Sequence, residues 1–189
     1  MNAGEHKKSA SIFVAIFNEK RQVLVVRNRE KWVPERNFLK PEKWGLAGGG
    51  VEPDEKRDPE RWMRALSTAM LGCYLEVFPD RTEETEKSKR DHAAWREVFE
   101  ETGFFIDPRT IEDVDVEPEK KEDHVVYLVR ACIMGGSLKM TAGEDTLMAR
   151  WMRLPVIRLM EEEFYKSHLM RIERAAEFLC GVSDEGVEA

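Results

Sequence analysis

From Asp91 to Glu101 apolar and charged residues recur with a helical period, and Thr102-Gly103 closes the run with the residue that most often ends a helix. At 100° per residue, with Glu97 at zero, Glu101 falls at about +40°, Glu100 at about −60° and Arg96 at about −100°. Ala94, Trp95, Val98 and Phe99 fall between about +60° and +200°. A helix with so broad an apolar side must bury it against another layer, and the sequence around it offers strands. Three carboxylates then share the opposite edge. Ala93 projects between Glu97 and Glu100 and is too small to obstruct anything bound there.

The β-branched run Ile12–Phe17 reads as a strand, Asn18–Arg21 as a turn and Gln22–Arg27 as a second strand. A polar loop of about fifteen residues with Pro34 and Pro41 leads to a short strand at Trp44–Ala47. The triplet Gly48-Gly49-Gly50 reads as flexible punctuation outside any strand or helix. Asp58-Pro59 opens a helix carrying Trp62, Leu66 and Met70 and ending near Gly72. Further strands are expected at Val125–Met134, with a bend near Arg130, and around Ala149–Met152. Residues 155–181 read as one or two helices and 182–189 as a flexible acidic tail. No repeat, low-complexity tract or linker divides the chain, so 1–189 is expected to be one α/β (α+β) domain.

Charge narrows the functional classes. With 30 Lys and Arg against 37 Asp and Glu, the net charge of −7 disfavours a nucleic-acid binder that relies on a basic surface. No apolar run approaches the length of a membrane span, no signal-peptide layout precedes the first strand, and a cytoplasmic protein is expected. Cys73, Cys132 and Cys180 lack metal-site spacing and read as buried, reduced thiols; the four histidines also lack ligand spacing.

Three carboxylates packed together repel one another by roughly 1–4 kcal/mol per 4 Å pair, depending on the local dielectric. On its own such an edge is ordinarily a solvated surface. Recessed beside a sheet it needs counterions: Arg96 supplies one, and a hard divalent cation such as Mg²⁺ suits the remaining oxygens. The string Arg96-Glu97-Val98-x-Glu100-Glu101-x-Gly103-Phe104, preceded upstream by Gly49-x5-Glu55, favours the second reading.

These strings resemble the signature of the Nudix hydrolases, Gly-x5-Glu-x7-Arg-Glu-U-x-Glu-Glu-x-Gly-U, where U is a bulky hydrophobic residue. Trp44–Glu52 resembles the family's approach to its box, and Arg150-Trp151 with Leu154-Pro155 falls where the family places such elements. Two departures stand out. Between Glu55 and Arg96 lie the 40 residues Lys56–Trp95 in place of seven, an insertion of about 33 residues, with 56–92 expected to form a helical elaboration inside the box. Ala47 stands where the family very often has proline.

The resemblance implies a Nudix-type α/β/α sandwich with a mixed central sheet. It implies an enzyme that hydrolyses a diphosphate linkage in a nucleoside diphosphate derivative by attack of water on phosphorus, with Mg²⁺ or Mn²⁺ as cofactor. Carried onto this sequence, Glu97, Glu100, Glu101 and the Gly48 carbonyl would be metal ligands, Arg96 would orient the carboxylates, and Glu55 would support them from behind. The general base is left between Glu97 and an acidic residue outside the box, Glu144 or Asp145. The basic loop 27–43, with Arg27, Trp32, Arg36 and Lys43 foremost, is the candidate substrate contact. The alternative is a Nudix-like module that binds nucleotides or a protein without turnover. The apolar helix of the insertion needs something to pack on, and a homodimer interface and a substrate lid both answer that need.

Overall fold

The computed structural model describes residues 9–34, 37–51, 71–72, 85–118, 124–138 and 145–181. Two strands, β1 (Ser9–Ala15) and β2 (Gln22–Asn28), set the layering. Ile12, Val14, Leu24 and Val26 are buried in one apolar cluster, while Ala15, Val23 and Val25 are buried in a second. Side chains that alternate along a strand thus fill two cores, so the sheets are covered on both faces.

Around β1 lies a four-stranded sheet in the order β6-β1-β9-β8, with β6 at Ala47–Val51, β8 at Glu112–Pro118 and β9 at His124–Arg130. It is mixed: β1 runs antiparallel to β6 and parallel to β9. Strand β2 lies between β11 (Thr146–Arg153) and the two-residue β5 (Trp44–Gly45) in an antiparallel sheet. Two strand pairs complete the sheets, β3 (Lys31–Val33) with β4 (Phe38–Lys40), and β7 (Phe104–Ile106) with β10 (Ile133–Gly136).

Helix α1 (Glu86–Thr102) covers one face, burying Ala93, Ala94, Trp95 and Val98, with Trp95 beside Phe105 at 5.5 Å between ring centroids. Thr85 caps it by accepting from the Ser88 N–H at 3.1 Å, and Gly103, at φ +81°, ends it in the left-handed conformation that glycine adopts without strain. Helices α2 (Leu154–Leu159) and α3 (Lys166–Gly181) cover the other face, contributing Ile157, Ile172 and Ala175 to the second cluster. The result is the expected α/β/α arrangement with a mixed sheet. No helix among the described residues is long and apolar enough to cross a membrane.

Several expectations need correction. The glycine triplet is strand, paired as Gly48 with Phe13, Gly49 with Ile12 and Gly50 with Ser11. The polar loop contains the β3–β4 hairpin, and Leu46 divides Trp44–Ala47 between two sheets. The stretch Val125–Met134 is two strands in different sheets, and strands β7 and β8 were not anticipated. Helix α1 starts at Glu86, so the last residues of the supposed insertion are its first turns. Their polar character conceals this, because buried Arg90 lies between Asp91 and Asp113, and its guanidinium stacks on Tyr127. Cys132 is exposed. Most of the Asp58–Gly72 helix and the tail 182–189 lie outside the described residues.

Candidate active site

The helical turn Arg96–Glu101 faces β6, the glycine strand. Arg96 forms ion pairs with Glu97 at 2.9 Å and Glu100 at 3.1 Å, and its other terminal nitrogen reaches the Gly50 carbonyl at 3.4 Å. Glu101 accepts from the Gly48 N–H at 2.9 Å and from the Thr146 hydroxyl at 3.3 Å. All three carboxylates line a cavity of about 690 Å³ together with Gly48, Gly49 and Gly50.

The glycines are there for closeness. A Cβ on Gly49 would stand 2.4 Å from Glu97 Oε1, and one on Gly48 would stand 2.1 Å from the Ile12 carbonyl oxygen of the paired strand. Gly48 also has φ +151°, which side-chain-bearing residues rarely adopt. A Cβ on Gly50 would meet nothing within 4 Å. The triplet therefore brings backbone and carboxylates together as a paired strand, with a different constraint at each position.

Electrostatics at this edge are unfavourable as the chain stands. Burial, reinforced by the charge of Glu97, pushes the Glu101 carboxyl up to about 8; the Gly48 N–H, the Thr146 hydroxyl and the Lys40 ammonium pull in the other direction without winning. Positive charge between Glu97 and Glu101 would relieve this. Among the described residues no three His, Cys, Asp or Glu side chains form a ready-made metal cage. Mg²⁺ does not need one, because it commonly takes one or two carboxylates and completes its shell with water and substrate phosphate. The hard-oxygen donor set and the repulsion between Glu97 and Glu101 fit such an ion.

Asn28, Arg29, Lys31 and Lys40 line the same cavity with Asp145, whose carboxylate pairs with Lys31 at 2.6 Å. The structure thus gathers Arg96, Glu97, Glu100, Glu101 and Gly48 at one place. It does not bring Arg27 there. Strand alternation turns Arg27 to the face opposite Asn28, against Glu42 at 2.6 Å and Glu163 at 3.1 Å and over the Trp44 ring. Trp32 is half-exposed on the outer face of the hairpin, and Lys43 donates to the Glu162 carbonyl at 2.8 Å outside this cavity. Glu55, Arg36 and Glu144 lie outside the described residues. Asn28 and Thr146 were missed; opposed in the β2–β11 register, they carry no sequence signal beyond strand ends.

No family model matches the sequence, and no curated protein matches it. Solved structures do. A Nudix hydrolase from Nitrosomonas europaea superimposes with a TM-score of 0.57 at 14% identity, over 93% of this chain and 90% of that one. An ADP-ribose pyrophosphatase from Streptococcus suis gives 0.55 at 14%, over 96% of each chain. A MutT protein from Methanosarcina mazei gives 0.51 at 20%, over 90% of this chain and 94% of that one. At such identities the likeness is one of architecture: this chain has the Nudix fold.

Proposed function

We propose that the protein is a Nudix-type pyrophosphohydrolase that depends on Mg²⁺ or Mn²⁺ and cleaves the diphosphate linkage of a nucleoside diphosphate derivative. One observation carries this reading. Glu97, Glu100 and Glu101 come from a single helical turn, line one cavity with three strand glycines, and stand in the same cavity as Arg29, Lys31 and Lys40. Acidic and basic residues sharing a cavity suit a cation and a polyanion bound together. The Nudix hydrolase and ADP-ribose pyrophosphatase among the structural neighbours support the same reaction class.

Glu97 and Glu101 would hold the metal, with Glu100 and the Gly48 carbonyl as further oxygen ligands. Bound there, the metal would neutralise phosphate oxygens and acidify a water. Arg96 fixes the orientation of Glu97 and Glu100, and the Gly48 N–H fixes Glu101. Arg29, Lys31 and Lys40 balance charge on the diphosphate and on the phosphate that leaves. Asp145, at the cavity wall, takes the proton of the attacking water, with Lys31 holding its carboxylate in place. The P–O bond to the bridging oxygen breaks as the new P–O bond forms, giving two phosphate-ended products.

The test is a substrate panel of nucleoside triphosphates, dinucleoside polyphosphates, ADP-ribose and nucleotide sugars, each with and without Mg²⁺, for wild type and Glu101→Gln. Metal-dependent cleavage by wild type with a loss of at least about 100-fold in the variant is expected. Equal turnover by the two proteins would remove the assignment, and tight nucleotide binding without cleavage would establish the binding-module alternative.

A further inference from the structure

A second cavity, of about 790 Å³, adjoins the first, and Lys40 lines both. The β3–β4 hairpin forms part of each wall. Lys31 and Lys40 pair across its strands and line the catalytic cavity; Val33 and Phe38 pair in the same way and line the second. These four positions share one face by the two-residue repeat, while Trp32 and Leu39 pair on the other and are about half-exposed. The hairpin thus turns lysines toward the catalytic cavity and an apolar pair toward the second. Pro41, Lys43, Tyr165, Lys166, Ser167 and His168 line the rest of it.

The charge of this second cavity comes from ammonium groups, with neutral hydroxyl and imidazole groups beside them. The Leu46 N–H donates to His168 Nδ1 at 2.9 Å, so the ring hydrogen sits on Nε2, on the opposite edge of the ring. Burial, aided by the charges of Arg171 and Lys40, keeps that ring neutral by lowering its pKa to about 3. The Tyr165 hydroxyl commits its proton to the Pro41 carbonyl at 2.5 Å, so its oxygen can only accept from a ligand. Lys40 lies over the Tyr165 ring at 5.0 Å, and Lys43 and Lys166 complete a cationic lining that, among the described residues, contains no carboxylate.

A nucleobase edge is uncharged and offers no counter-charge to Lys40, Lys43 and Lys166. A neutral sugar leaves three ammonium charges unmatched. A phosphate monoester has acceptors only and carries roughly −1.5 to −2 at neutral pH. We propose that this cavity binds a second, separate phosphate of the substrate, so that the preferred substrate class is a diphosphate-linked nucleotide also bearing a phosphomonoester. The inference rests on the hydrolase reading above. Lys40, placed between the cavities, would contact both the scissile diphosphate and the distal phosphate, while Val33 and Phe38 cover the body that joins them.

Two matched pairs test it: coenzyme A against its 3′-dephospho form, and NADP⁺ against NAD⁺, each with Mg²⁺. The phosphorylated member of at least one pair is expected to show a kcat/KM about tenfold or more higher, chiefly through KM. Lys166→Ala should bring that ratio toward one and Lys166→Arg should restore it. Equal kcat/KM within both pairs in an active enzyme, or a ratio that Lys166→Ala leaves unchanged, overturns the subsite while leaving the hydrolase reading intact. If none of the four is cleaved, calorimetric binding of adenosine 3′,5′-bisphosphate against AMP decides. About tenfold tighter binding of the bisphosphate that is lost in Lys166→Ala supports the subsite, and equal binding refutes it.

Discussion

Substituting alanine at each of the three consecutive glycines should have three different consequences. At Gly49 the added Cβ would stand 2.4 Å from Glu97 Oε1 and 2.7 Å from Glu97 Cδ. Restoring van der Waals contact requires the carboxylate to retreat by about 1 Å. The colliding atoms are the end of a side chain, so the fold should lose no more than about 1 kcal/mol. The carboxylate cannot move alone, because Arg96 ties it to Glu100 and to the Gly50 carbonyl. A misplacement of about 1 Å at a reacting centre costs on the order of 100-fold. Gly49→Ala should therefore cut kcat by about 100-fold in a folded protein. Gly50→Ala, with nothing within 4 Å of its Cβ, should stay within about 0.5 kcal/mol of wild type and retain its activity. Gly48→Ala forces a Cβ against the Ile12 carbonyl and Phe13 Cα of the paired strand, at φ +151°, and should cost about 3 kcal/mol or more in stability. Mg²⁺-dependent phosphate release and urea unfolding, run on all three variants, separate these effects. The reasoning fails if Gly49→Ala is as active as Gly50→Ala, or if its lost activity tracks a lost fold.

Three other outcomes follow from the same structure. Mg²⁺ should raise the melting temperature of wild type, with a smaller increment in Glu101→Gln, which keeps an acceptor for the Gly48 N–H; equal increments would show that Glu101 does not hold the ion. His168 is held neutral, with its pKa depressed from 6.5 to about 3, so the unfolded chain binds the extra proton and stability falls as pH drops from about 6.5 toward 3. The loss is at most about 4–5 kcal/mol at 1.36 kcal/mol per pH decade, and urea midpoints over that range should be flatter for His168→Gln. Trp95→Ala removes a fully buried side chain packed beside Phe105, and calorimetry should find about 3–5 kcal/mol less stability.

Helix α1 was legible because two signals coincide in it, an apolar side at helical spacing and a glycine stop, and both survive packing unchanged. Strands β1 and β2 were legible from their β-branched residues, which are core on one or both faces. The acidic strand β8 was hidden: Asp115 and Glu117 are tolerated beside the sheet because Arg171 and Arg174 on α3 neutralise them, a partnership about 55 residues distant in the chain. The glycine strand was misread because local propensity argues against it, whereas the reason for it is the carboxylate and backbone carbonyl that occupy the space a Cβ would fill. At the site, the acidic half could be read from spacing. The basic half could not, since choosing Arg29, Lys31 and Lys40 over Arg27 depends on which way each strand residue turns once the hairpin has formed.

The parallel pairing of β1 with β9 has a consequence for how the chain comes into being. Ser9 and Ser11 meet His124 through their hydroxyls, across 115 and 113 residues of sequence. A ribosome making this protein releases β1, β6 and helix α1 before β9 emerges to close the middle of the sheet. The edge of β1 that awaits β9 stays open through that interval, a long-range closure of the kind that slows folding and invites mispairing while translation continues.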